Sequence, residues 1–328
     1  MPVASLKSAC YVLGLNDNMA SGLSDHGLTG LGVGRQRNSW GWGMHYERPS
    51  SLNEALDLIA ASGGASIMAG GTDLLVRMKG GFVEPELIVD LKAIKELKAI
   101  TETDGAFVIG AAVSCAELGE MAALKSAWPG VVEAANLIGS KQIQGRCTIA
   151  GNLCNASPAA DSVPALVAAD AQAIVISPRG RRTMAVGEIP TGPGRTSLGR
   201  DEIIVAITLD KRAPRSGDAY LRFTPRTEMD IAVVGVAVNM TLDAEGKIAS
   251  VRVALGAVAP TVLLVPQAAE AIVGRTLDEA ALEDLAAVCS AACTPIDDKR
   301  GTIAFRKKIA GVLSRRAAAI AYSRAGGK

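Results

Sequence analysis

Two short glycine-bearing stretches constrain this chain more than anything else in it. The first is Ala69-Gly70-Gly71-Thr72-Asp73-Leu74-Leu75. The second runs from Thr148 through Gly151 and Asn152 to Ser157 and Asp161. Each interrupts apolar sequence with small residues and hydroxyl or amide side chains. Such loops expose backbone N–H groups and let an anionic ligand approach the main chain. The pair reads as one dinucleotide site that the remaining chain positions. On the residues alone, ordinary turns with a capping Asp161 remain an equal alternative for the second stretch.

The surrounding pattern is regular from His45 onward. Ser51-Leu52-Asn53-Glu54 is a capping-box sequence, and Leu52, Ala55, Leu56 and Ile59 mark one helical face that Gly63-Gly64 closes. Ser66-Ile67-Met68 is a short strand delivering the first loop. Leu87–Leu91 and Phe107–Ala111 read as buried strands. Ser114 to Glu117 repeats the capping box, and Val131–Ile138 is helical. Beyond the second loop, Val163–Ala169 predicts a helix that Asp161 opens, where a carboxylate favours the helix dipole. Ala173–Ile176 and Glu202–Leu209 predict strands, with Pro178-Arg179-Gly180 as a hairpin turn.

A boundary is expected near Pro214–Asp218. Past it, Ile231–Met240 and Val251–Leu255 form two strands around the turn Asp243-Ala244-Glu245-Gly246. Gln267–Val273, Asp278–Ala292 and Ile303–Ala321 form helices. The class is α+β, with an antiparallel sheet and helices in the C-terminal part. The expected division is an extension over 1–43, a block over 44–216 split near 100, and a block over 217–328. The extension is Gly-, Ser- and Asn-rich, and an alternative start at Met44 stays open. Its Gly30–Gly34 run lacks the strand, third glycine and helix of a dinucleotide fingerprint.

Composition removes several function classes. The formal charge is +1, from 34 basic and 33 acidic residues, so nothing points to nucleic acid. Six cysteines stand without any CxxC pair, and there are two histidines, His26 and His45. That suits reduced thiols in a cytoplasmic protein rather than a disulfide framework or a metal site. No run of 18 apolar residues suggests a membrane span. A third charged element, Arg222-Phe223-Thr224-Pro225-Arg226-Thr227-Glu228-Met229-Asp230, reads first as a sheet edge. Its other reading is that Arg222 or Arg226 reaches a cofactor from the second block.

From about His45 to its end the chain resembles the FAD-binding medium subunit of the molybdenum hydroxylases. That group includes xanthine dehydrogenase, carbon monoxide dehydrogenase and 4-hydroxybenzoyl-CoA reductase flavoproteins. The residues carrying the resemblance are Ala69–Leu75, Thr148–Ser162, Thr191–Thr196 and Arg222–Val234, in family order. It implies a vanillyl-alcohol-oxidase-type FAD-binding domain of two subdomains with a C-terminal domain closing over the cofactor. Met68, Ala69, Gly70, Gly71, Thr72, Asp73 and Leu74 would lie along the FAD pyrophosphate. Thr148, Gly151, Asn152 and Ser157 would complete the cradle, and Asp161 would bond a flavin-side hydroxyl. Ile203 and Ile204 would sit near the isoalloxazine, and Arg222 at the family's basic position, with Arg226 as a second basic residue.

The resemblance further implies an oxidoreductase subunit. A small partner would carry two 2Fe-2S clusters and a large partner the molybdenum cofactor. Electrons would pass from the clusters through FAD to an external acceptor, with no side chain here as a general base. Ala150 stands where the family often has a second glycine. No cysteine cluster matches the extra iron–sulfur insertion of the 4-hydroxybenzoyl-CoA reductase type. The FAD domain's one histidine lies outside the motifs, so the flavin is expected to be non-covalent. A flavin-free scaffold of the same complex and a free-standing flavin oxidase stay as alternatives.

Overall fold

Parallel pairing sets up the N-terminal part. The computed structural model describes residues 43–327, so the predicted extension up to Trp42, with its glycine run and His26, lies outside the described residues. β1 (His45–Glu47) leads through α1 (Leu52–Ala61) to β2 (Ala65–Met68), and α2 (Leu74–Lys79) leads on to β3 (Leu87–Asp90). β1 and β2 both pair with β3 in parallel, which requires crossovers of the kind the two helices supply. The capping box predicted at Ser51 is shifted by one residue. Ser51 Oγ accepts from the Glu54 N–H at 3.3 Å, but the Glu54 carboxylate accepts from the Ser50 N–H at 2.8 Å. Leu52, Ala55 and Ile59 are buried as the periodicity predicts.

A mixed layer follows. β4 (Ile100–Glu102) and β5 (Ala106–Gly110) precede a run of short helices: α3 (Cys115–Glu120), α4 (Ala122–Ala127), α5 (Pro129–Ala135), α6 (Lys141–Gln144), α7 (Ile149–Cys154) and α8 (Ser162–Ala168). Then come β6 (Gln172–Ser177), β7 (Gly180–Ala185), the small hairpin β8 (Pro190–Gly192) and β9 (Arg195–Thr196), and β10 (Ile203–Asp210). The large sheet has the order β4-β5-β10-β6-β7 and is antiparallel throughout. Its successive residues feed two cores, as a period of two requires. Phe107, Ile109 and Ile207 pack with Leu118, Leu153 and Leu166 of the helices. Val108, Ile174 and Val205 pack with Leu52, Ile59 and Val89 beneath. At Ser114 both halves of the capping box form.

One expectation is overturned in this region. Thr148–Cys154 is not a loop: Ile149–Cys154 is helical, with Thr148 as N-cap. Ile149, Ala150 and Leu153 are buried, and their burial outweighs the weak helix propensity of Gly151 and Asn152.

The C-terminal part is an antiparallel sheet, β11 (Ser216–Phe223), β12 (Val234–Leu242), β13 (Ile248–Gly256) and β14 (Leu263–Leu264), backed by α9 (Gln267–Ile272), α10 (Glu279–Ala292) and α11 (Ile303–Arg324). β11 is a strand the sequence pattern did not predict. Val236, Val238 and Val253 face Leu285, Ala310 and Ala317. The alternate residues Tyr220, Ala237 and Ala254 face α5 and α8 and join the core there. α11 rides directly on β11: a Cβ on Gly217 would stand 2.0 Å from the Ala321 carbonyl oxygen. No helix among the described residues is long and apolar enough to cross a membrane.

Candidate functional site

The first motif forms a tight connection between β2 and α2, held from three sides. Gly70 presses on the segment before α7: a Cβ there would lie 2.2 Å from the Arg146 carbonyl oxygen and 2.8 Å from the Cys147 Cα. Gly71 takes φ +80°, and a side chain on it would also meet Met68 Sδ at 2.9 Å. Only glycine adopts that conformation without strain. From below, Lys92 Nζ donates to the Ala69 carbonyl at 2.8 Å and to Asp90 Oδ1 at 2.7 Å. Tyr46 donates its hydroxyl to Asp90 Oδ2. Burial pushes the Asp90 carboxyl upward, but the bonds from Lys92 and Tyr46 outweigh it and hold it below its ordinary value.

So fixed, the loop aims its main chain outward. The N–H groups of Gly70, Gly71, Thr72 and Asp73 find no acceptor among the described residues. Four consecutive unpaired donors along a cleft are an arrangement able to hold an anion. Burial raises the Asp73 carboxyl, and the nearby Arg77 opposes that shift.

The second motif supplies the facing wall. Thr148 Oγ1 accepts from the Gly151 N–H at 2.9 Å, and a Cβ on Gly151 would sit 3.0 Å from that oxygen. Asn152 Oδ1 accepts from the Ser162 hydroxyl at 2.7 Å and the Ser162 N–H at 3.3 Å. Its NH2 group has no acceptor among the described residues, so it can donate into the cleft. A cleft of about 230 Å³ lies between the motifs, lined by Met68–Leu74, Arg77, Ile138, Cys147, Thr148, Gly151 and Asn152. An adjoining cleft of about 260 Å³ shares Ala69 and Gly151 and extends to Leu198, Ile203 and Ile204.

Four predicted residues, Ser157, Asp161, Arg222 and Arg226, line neither cleft. Ser157 lines a separate cavity with Pro193, Ala257 and Arg300, and its Oγ accepts from the Ala159 N–H at 3.2 Å. Arg226 is exposed and pairs with Asp230 at 3.4 Å. Asp161 precedes α8 but caps nothing. Its carboxylate accepts from Arg222 at 2.6 Å and from the Tyr220 hydroxyl at 3.0 Å. Asp161 thus stands at the N-terminus of α8 as predicted, but its side-chain bonds go to two donors from β11 in a buried ion pair instead of to the helix N–H groups. Burial raises the Asp161 carboxyl to about 6, with Arg222 and Tyr220 opposing. The sequence reading missed Tyr220, Lys92, Asp90 and Tyr46. Tyr220 carried a usable signal, since it stands two residues before Arg222 and so shares its strand face.

Known proteins share this fold. The model of the FAD-binding domain in molybdopterin dehydrogenase matches residues 42–211, and that of the CO dehydrogenase flavoprotein C-terminal domain matches 219–321. The chain belongs to the FAD-binding medium subunits of the molybdenum hydroxylases. It is thus an oxidoreductase subunit with an FAD-binding domain. Among members of this family, the xanthine dehydrogenase FAD-binding subunit of Escherichia coli O157:H7 is 31% identical, over 86% of this chain and 97% of that one. The carbon monoxide dehydrogenase medium chain of Hydrogenophaga pseudoflava is 32% identical, over 86% and 98%. The solved carbon monoxide dehydrogenase of Hydrogenophaga pseudoflava lacking the Mo-pyranopterin moiety superposes with a TM-score of 0.82 at 32% identity, over 86% of this chain and 98% of that one. Quinoline 2-oxidoreductase from Pseudomonas putida 86, at 24% identity and a TM-score of 0.81, shares the fold.

Proposed function

We propose that this subunit holds FAD non-covalently in the paired clefts and relays electrons through it, from 2Fe-2S clusters on a small partner subunit to an external acceptor. A large partner would carry the molybdenum cofactor and bind the substrate. The assembly would work in the cytoplasm, consistent with the free thiols of the described cysteines.

The unpaired N–H groups of Gly70 to Asp73 support this reading most directly. They fit the diphosphate of FAD, with the Asn152 NH2 group and Arg77 adding donors. Met68, Ala69 and Leu74 would border that group, and Thr148 and Gly151 would shape the opposite wall. Ile204 would pack on the isoalloxazine. Asp161 and Arg222 would stand at its polar side, and Ser157 at the edge of the neighbouring cavity. When bound, FAD supplies reversible uptake of two electrons that can leave singly. The protein contributes binding, orientation and electrostatics.

Co-purification with the partner subunits tests this. The complex should carry about one FAD per medium subunit, and Gly71→Val should remove it while leaving the subunits associated. A complex free of flavin, or a flavin-free variant with full electron transfer to the acceptor, would sink the proposal.

A further inference from the structure

We propose that Tyr220 is a positioning residue for Asp161, and that through Asp161 it controls how the flavin potential follows pH. The inference rests on the FAD site proposed above and adds a residue and a coupling to it.

Each oxygen of Asp161 receives one donor from the same face of β11. Tyr220 donates to Oδ1 at 3.0 Å and Arg222 to Oδ2 at 2.6 Å. All three groups are withdrawn from water: Asp161 is 8% exposed, Tyr220 3% and the Arg222 side chain 7%. The hydroxyl has its own space. A Cβ on Gly235, which pairs with Arg222 across the sheet, would stand 2.6 Å from the Tyr220 oxygen. The carboxylate is also linked to the cleft. Ser162, the next residue, gives its N–H and its hydroxyl to Asn152, and Asn152 lines the cleft.

This arrangement couples charge to proton uptake. Ionised Asp161 neutralises Arg222. When Asp161 takes up a solvent proton, Arg222 is left as a buried, unbalanced cation, where low dielectric strengthens its field. Negative charge arriving in the cleft favours that protonation, and protonation in turn favours the negative charge, since linkage is reciprocal. Tyr220 opposes it by donating to the ionised carboxylate. Few other groups take part. α8 and β12 carry no titratable side chain, and α7 carries only the Cys154 thiol. On the α5 side, Glu133 accepts from the Tyr220 N–H and is paired with Arg324.

The experiment is redox titration of the bound flavin in the assembled complex from about pH 5 to about pH 8. Wild type should show a change of slope near the Asp161 value of about 6. Tyr220→Phe should keep its FAD but move that change up by about one pH unit. Asp161→Asn should abolish it, and this second variant serves if the Tyr220 variant fails to fold. A Tyr220→Phe profile identical to wild type, a wild type without the slope change, or a change that survives Asp161→Asn would overturn the inference. Absence of FAD from the wild-type complex would instead overturn the site reading beneath it.

Discussion

Gly70 and Arg146 meet backbone to backbone, and that contact locks the two sequence motifs into one structure. Neither side of the contact is a flexible side chain, so a methyl group at Gly70 must push the segments apart. Gly70→Ala is expected to cost about 1–3 kcal/mol of stability. It should also weaken FAD binding about tenfold or more, because the donor row loses its backing. Thermal melting and flavin content per purified chain check both parts. A variant with wild-type flavin content would mean the contact does not shape the site.

Lys92 supports the same loop from beneath. Lys92→Met keeps most of the side-chain volume but leaves the Asp90 carboxylate, in a residue 2% exposed, without its cation. Breaking such a pair costs about 3 kcal/mol. The pH effect has a definite sign. Asp90 titrates below its ordinary value in the folded protein, so its contribution is present above the ordinary carboxylate range and is lost on acidification. The variant should therefore lose stability mostly at neutral pH and narrow its gap to wild type in acid. Denaturant melts at several pH values would reveal the opposite trend if it existed.

Asp161 has the reverse sign. Its folded value of about 6 exceeds the ordinary 3.8. Its contribution to stability is then full below about 4 and is lost as pH rises to about 6. The span is about 3 kcal/mol at most. Asp161→Asn should flatten the stability curve across that window, as urea unfolding would report. An unchanged slope would place the titration on another group.

Arg212 provides a contrast, since it lines neither cleft. Its guanidinium lies 4.5 Å over the Trp128 ring and bonds Asp218 at 2.6 Å and the Ala127 carbonyl at 2.9 Å. Asp218 is itself buried and raised by that burial, with Arg212 opposing. Arg212→Ala should cost about 3–5 kcal/mol. The folded fraction should keep its flavin spectrum unchanged. A shifted spectrum would show that this joint reaches the cofactor.

Much of the fold was legible because local signals and burial agreed. Ser114 and Glu117 make the bonds their spacing predicts, and the Asp243–Gly246 turn joins β12 to β13. Leu87–Leu91 reads as a buried strand, and Leu87–Asp90 is a strand buried at every position, the carboxylate of Asp90 included. The failures occur where tertiary contacts outweigh local preference. Gly151 and Asn152 resemble a loop, yet Ile149 and Leu153 drive their segment into the core as α7. β11 was hidden because its polar residues, Asp218 and Arg222, find partners in other elements instead of solvent. At the site, the sequence marked Gly70, Gly71, Gly151 and Asn152, which the fold assembles around one cleft. The underlying support from Tyr46, Asp90 and Lys92 spans 46 positions of chain, and no local pattern announces such a link.

β11 is gripped at both ends. Near its start, Gly217 lies against the carbonyl of Ala321 on α11, with no side chain between. Near its finish, Tyr220 and Arg222 hold Asp161. The strand therefore works as a stiff connecting rod. A displacement of the outer helix α11 and a displacement of the buried Asp161 carboxylate are mechanically linked through one strand.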